Sequence, residues 1–105
     1  MCPEVRRSPR YVFFASAEIT DTASESTMNA HTSEICRHGC YLDMMNPFPD
    51  GTPLRVRITH DGRALDAAAR VVHSKPNMGM GLSFDELDAH QEPIIEHWLS
   101  TLEVS

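Results

Sequence analysis

From Tyr11 to Phe84 the chain alternates apolar and polar side chains with a period of two, the spacing of strands with one buried face. Tyr11, Phe13, Ala15, Ala17 and Ile19 share one side of a first strand, against a set ending in Ser16, Glu18 and Thr20. Val12 and Phe14 make its first half apolar on both sides, which predicts a cover there. The small polar residues of 21–27 read as a turn, and Met28 to Cys36 as the next strand, placed by its position ahead of Gly39. Beyond that glycine, Cys40, Leu42 and Met44 face one way and Tyr41 and Asp43 the other.

Pro47-Phe48-Pro49-Asp50-Gly51 is a loop. Leu54, Val56 and Ile58 then alternate with Arg55, Arg57 and Thr59, and Asp61-Gly62 predicts a two-residue hairpin turn. The return strand puts Leu65, Ala67, Ala69 and Val71 on one face. The alanines at 67–69 suit a helix, but the turn before them and Val71-Val72 after them favour a strand. Lys75-Pro76-Asn77 turns the chain again. Met80, Leu82 and Phe84 form the last strand, with Gly79 and Gly81 marking a close approach by backbone or ligand.

The period then changes to that of a helix. Ile94, Ile95, Trp98, Leu99 and Leu102 fall on one face, Asp88 is a candidate cap, and Pro93 belongs in the first turn. The helix is expected over 88–103 and its apolar stripe is expected to dock, with Trp98 largely buried. The predicted fold is mostly β, a small six-stranded antiparallel β-barrel with a C-terminal α-helix. One domain over 1–105 follows from the length, with a basic N-terminal arm at 1–11 and the barrel at 12–84.

Charge sharpens this picture. The net charge is −6, yet residues 1–11 carry Arg6, Arg7 and Arg10 against Glu4, which leaves −8 for the rest. An acidic body argues against DNA or RNA as partner. A basic arm suits an anion, since guanidinium groups pair with phosphate and stack on flat rings. No apolar run reaches the roughly 18 residues of a membrane span, so no membrane contact is expected. Cysteines at 2, 36 and 40 do not make a disulfide framework and fit a reducing, cytoplasmic setting.

The chemistry concentrates at Ser33-Glu34-Ile35-Cys36-Arg37-His38-Gly39-Cys40. Alternation predicts a turn that offers Glu34, Cys36, Arg37 and His38 as a polar surface, with Gly39 where something must come close. Together with Arg6-Arg7-Ser8-Pro9-Arg10, this turn resembles the two motifs of the PilZ domain, the bacterial receptor module for cyclic di-GMP. The first motif, Arg-x-x-x-Arg, is met by Arg6 and Arg10. The second, Asp/Asn-x-Ser-x-x-Gly, falls on Glu34 to Gly39, with Glu34 and Cys36 departing from it. The segments Gly51–Val56, Arg70–Ser74 and Gly79–Phe84 are similar to the family's later strands.

The resemblance implies cyclic di-GMP as ligand, held by Arg6, Arg7, Arg10, Glu34, Cys36 and Gly39. It implies no cofactor and a regulatory module instead of an enzyme. A glutamate one methylene too long and a thiol in place of a hydroxyl imply weakened affinity. The alternative is an adaptor without nucleotide, meeting a protein partner or a second copy through the Trp98 helix face or the arm.

Two other chemistries are weaker. Cys36, His38 and Cys40, with His31 nearby, are soft ligands, but structural zinc sites use a second ligand pair well downstream, and alternation puts Cys40 in the core. No metal and no Cys36–Cys40 disulfide are expected. The six histidines, at 31, 38, 60, 73, 90 and 97, are scattered, and no nucleophile–base–orienter set follows from their spacing.

Overall fold

The computed structural model describes residues 11–102. Seven strands lie among the described residues: β1 (Tyr11–Val12), β2 (Ser16–Asp21), β3 (Thr27–Cys36), β4 (Gly39–Asp43), β5 (Pro53–His60), β6 (Arg63–Lys75) and β7 (Gly79–Phe84). Six of them close an antiparallel barrel in the order β3-β2-β5-β6-β7-β4, because β4 also pairs with β3. The short β1 is an extra strand laid on β3. Closure leaves the six barrel strands without a free edge, which removes a template for aggregation. The alternation reads directly into the interior. Ile19, Ile35, Leu42, Leu54, Val56, Ile58, Leu65, Val71, Met80 and Leu82 are all buried. The Asp61-Gly62 turn has positive φ at both residues, 53° and 76°, as a two-residue hairpin requires.

The single strand expected from Tyr11 to Thr20 is two. β1 and β2 both pair with β3, but in registers that differ by one residue: Val12 lies opposite Glu34, while Ser16 lies opposite His31. Thr32 fills the kink between them. Its hydroxyl accepts the Ala15 N–H at 2.9 Å and donates to the Phe13 carbonyl at 2.6 Å. Backbone bonds from Phe13 to Ser33 and from Thr32 to Ala15 complete the junction. Thr32→Val keeps the volume and orphans both buried partners. It should destabilise the fold by at least about 1–3 kcal/mol, read from a denaturant midpoint. Among the described residues no cover lies over Val12 and Phe14, which are 46% and 72% exposed.

Helix α1 (Glu92–Ser100) lies within the expected 88–103. The Asp88 carboxylate accepts the N–H groups of His90 and Gln91 at 2.9 and 3.0 Å, closing a turn ahead of the helix. Pro93 occupies the first helical turn, where a missing N–H costs nothing. Past Ser100, short bonds from Thr101 to Trp98 and from Leu102 to Leu99 tighten the end. The helix seals one end of the barrel, where the β3–β4 turn, the β5–β6 hairpin and the end of β7 meet. Ile95 and Trp98 are buried there, each 1% exposed. Trp98 packs against Phe13 at a ring separation of 5.3 Å and edge-on against His60 at 5.8 Å. The Gln91 side chain accepts the Asp66 backbone N–H at 2.9 Å, pinning the helix start to β6.

Candidate functional site

The site is the outer face of the β3–β4 hairpin. Cys36 pairs with Gly39 across the two-residue turn Arg37–His38, Ile35 with Cys40, and Glu34 with Tyr41. A bulge at Ser33 resets the register, so that Glu34 points outward after the inward Thr32. The turn is held at its tip by a hydrogen bond from the Phe84 N–H to the His38 carbonyl, 2.8 Å. β1 runs along the other edge of β3, with Tyr11 opposite Ile35 and Val12 opposite Glu34. The described chain therefore begins beside the turn. Arg6, Arg7 and Arg10 lie outside the described residues.

Of the polar surface expected here, Arg37 and His38 are exposed and Glu34 is partly buried. Cys36 corrects the expectation, because it is fully buried. It closes the hairpin opposite Gly39, and a thiol, a weak hydrogen-bonding group, loses little by leaving water there. Cys36 and Cys40 form no disulfide with each other. Burial pushes the Cys40 thiol far up, so it behaves as a small apolar residue. No group of three or more metal-ligating side chains placed to hold an ion occurs among the described residues.

Arg37 does something the sequence did not indicate. It makes a bidentate ion pair with Glu96 on α1, with N···O distances of 2.7 and 2.9 Å. The hydrogen bond to Arg37 holds the Glu96 carboxyl below its usual range, and the same bond raises the Arg37 guanidinium. The pair thus supports the fold above the ordinary glutamate range and is lost as pH falls through the lowered value. Both partners are exposed, so its strength is screened, but it ties the motif turn to the helix.

A cleft of about 220 Å³ lies beside the turn, lined by Arg37, His38, Phe84, Glu92 and Ile95 among others. A larger one, about 440 Å³, lies across β2, β3 and β5 and contains no motif residue. Size alone does not choose the site here, because a ligand taken between a sheet and a chain segment needs no preformed hole. The sequence marks Gly79 and Gly81 as a place of close approach. What comes close is β4: a Cβ on Gly79 would overlap the Leu42 carbonyl oxygen and lie 2.9 Å from Tyr41 Cε1.

A model of the PilZ domain matches residues 4–100 of the chain. The chain belongs to the PilZ domain family. This is a family of receptor and adaptor modules for cyclic di-GMP, regulatory binding domains and not enzymes. Among solved structures, the chain is similar to the PilZ domain of CeSA from a cellulose-synthesising bacterium, with a TM-score of 0.72 and 18% identity. That match covers 87% of this chain and 94% of the other. It is also similar to the inhibitor of motility MotI/DgrA of Bacillus subtilis, with a TM-score of 0.68 and 18% identity, over 91% of this chain and 52% of that one. No curated protein matches the chain. The solved PilZ structures share the closed six-stranded barrel with its C-terminal helix. Among the described residues, no helix is long and apolar enough to cross a membrane.

Proposed function

We propose that this PilZ domain is a regulatory receptor that binds cyclic di-GMP with weakened affinity. Arg6, Arg7 and Arg10 of the arm take the phosphates and stack on the bases. Glu34, Cys36 and Gly39 meet the ligand from the hairpin. The observation that carries this reading is the register of β1. With Tyr11 opposite Ile35, the described chain starts beside the hairpin that carries the second motif, and this start supports a site shared by the two. The ligand is a messenger, not a substrate, and no cofactor takes part. A cytoplasmic location accompanies that role.

Affinity is limited by two side chains. Glu34 is one methylene longer than aspartate, and Cys36 offers a weakly hydrogen-bonding thiol in a buried position. Loss of one good hydrogen bond costs about 1–3 kcal/mol, roughly tenfold to a hundredfold in affinity. Calorimetric titration with cyclic di-GMP to high micromolar concentration tests this. The double change Glu34→Asp with Cys36→Ser should tighten binding by roughly tenfold or more. Arg10→Ala should abolish it, and added salt should weaken it. A folded double variant that releases no heat would leave the adaptor as the function. That second reading has one observation in its favour, the exposed apolar pair Val12 and Phe14, at 46% and 72%. It gains nothing from the apolar stripe of α1, which packs on the barrel.

A further inference from the structure

Sheet register lines up Val12, Glu34, Tyr41, Gly81 and His73 in one row across the outer face of β1, β3, β4, β7 and β6. Two features single out Tyr41 in that row. It stands directly across from Glu34 on the adjoining strand, so the two residues are cross-strand neighbours on one face. Its ring also leans along β7 over Gly79, where Cε1 lies 2.9 Å from the position a Cβ would take, and its strand partner Gly81 has no side chain either. The missing side chain of Gly79 thus leaves the place on β7 that the edge of the tyrosine ring takes. Packed on backbone from below and partly exposed, the ring is a shelf at the level of the sheet.

We infer that Tyr41 is a ligand-binding residue of the cyclic dinucleotide site, the stacking shelf for a purine whose hydrogen-bonding edge is read by Glu34. The inference rests on the receptor reading above. The chemistry selects guanine over adenine. A carboxylate accepts from the adjacent N1–H and N2–H2 donors of guanine, a pairing that adenine, with an acceptor at N1, does not offer. Stacking by itself accepts either purine, so Tyr41 supplies affinity and Glu34 supplies the choice. The phenol is held in its neutral form, since burial pushes it up and the nearby Asp43 and Glu34 carboxylates push it further. A neutral ring avoids adding charge beside the phosphates.

The test is calorimetric titration of the wild type and of the Glu34→Asp, Cys36→Ser variant with cyclic di-GMP and with cyclic di-AMP. Tyr41→Ala in either background should lose roughly tenfold or more in cyclic di-GMP affinity, while Tyr41→Phe should stay within about threefold. Tyr41→Leu keeps much of the volume without the aromatic face and should behave like Tyr41→Ala, with a thermal midpoint close to wild type. Glu34→Gln should narrow the preference for cyclic di-GMP over cyclic di-AMP. If Tyr41→Ala and Tyr41→Leu bind as tightly as their parents while Arg10→Ala does not bind, Tyr41 is no shelf and the receptor reading stands. If neither parent binds cyclic di-GMP, both the shelf and the receptor reading fall.

Discussion

Trp98→Ala lowers the unfolding free energy by about 3–5 kcal/mol, the cost of emptying a buried aromatic site. The ring is 1% exposed and closes one end of the barrel with Phe13 and His60, which are themselves only 4.6 Å apart. Losing it removes the pairwise ring contacts as well as the buried area. A domain of this size has a total stability of about 5–15 kcal/mol, so the loss is a large share of it. Guanidinium unfolding followed by far-ultraviolet circular dichroism reads the shift. Trp98→Phe separates two contributions. The indole N–H has no hydrogen-bond partner among the described residues, so phenylalanine gives up volume but also removes an unsatisfied donor. It should cost clearly less than alanine. Equal losses for the two variants would mean that the helix undocks whenever the indole is missing.

Gly79→Ala should be nearly as damaging, for a different reason. The added Cβ would overlap the Leu42 carbonyl oxygen, which belongs to backbone paired in register with β7 and cannot swing aside. Relief requires β4 and β7 to separate, and that opens the barrel beside the motif hairpin. Ordinary overpacking costs about 1–3 kcal/mol, and a clash against fixed backbone belongs at or above the top of that range. Gly62→Ala is the control. No atom lies within 4 Å of its Cβ position, and only its φ of +76° resists, at about 1–2 kcal/mol. A denaturant midpoint for Gly79→Ala no lower than that of Gly62→Ala would show that the strand pair adjusts. The variant also bears on function, since Tyr41 would lose the place on β7 that the edge of its ring takes.

The barrel was legible from the chain because one physical regularity repeats through it. A strand buried on one side must alternate, and Leu54-Val56-Ile58, Leu65-Ala67-Ala69 and Met80-Leu82-Phe84 do so without interruption. The Asp61-Gly62 turn was legible for the same local reason, because only certain residues accept two positive φ values in succession. The helix was legible from its stripe, and Pro93 and Ser100 lie near the ends of its regular part. Family membership was legible from the order and spacing of Arg6, Arg10 and Gly39 among those strands.

Tertiary structure decided what depends on residues far apart in the chain. Alternation passes through Phe13 to Ala15 unbroken, so the kink there is invisible until Thr32, from another strand, inserts its hydroxyl. Cys36 alternates outward like a surface residue, yet in the folded chain it is fully buried. Arg37 and Glu96 are 59 residues apart, and no local pattern pairs them. Tyr41 reads as an unremarkable outward residue until β7 presents Gly79 beneath its ring. Periodicity assigns each side chain to a face of its own strand. Which strands adjoin, and in what register, is set by closure of the barrel, and so the neighbours that make a site were chosen only there.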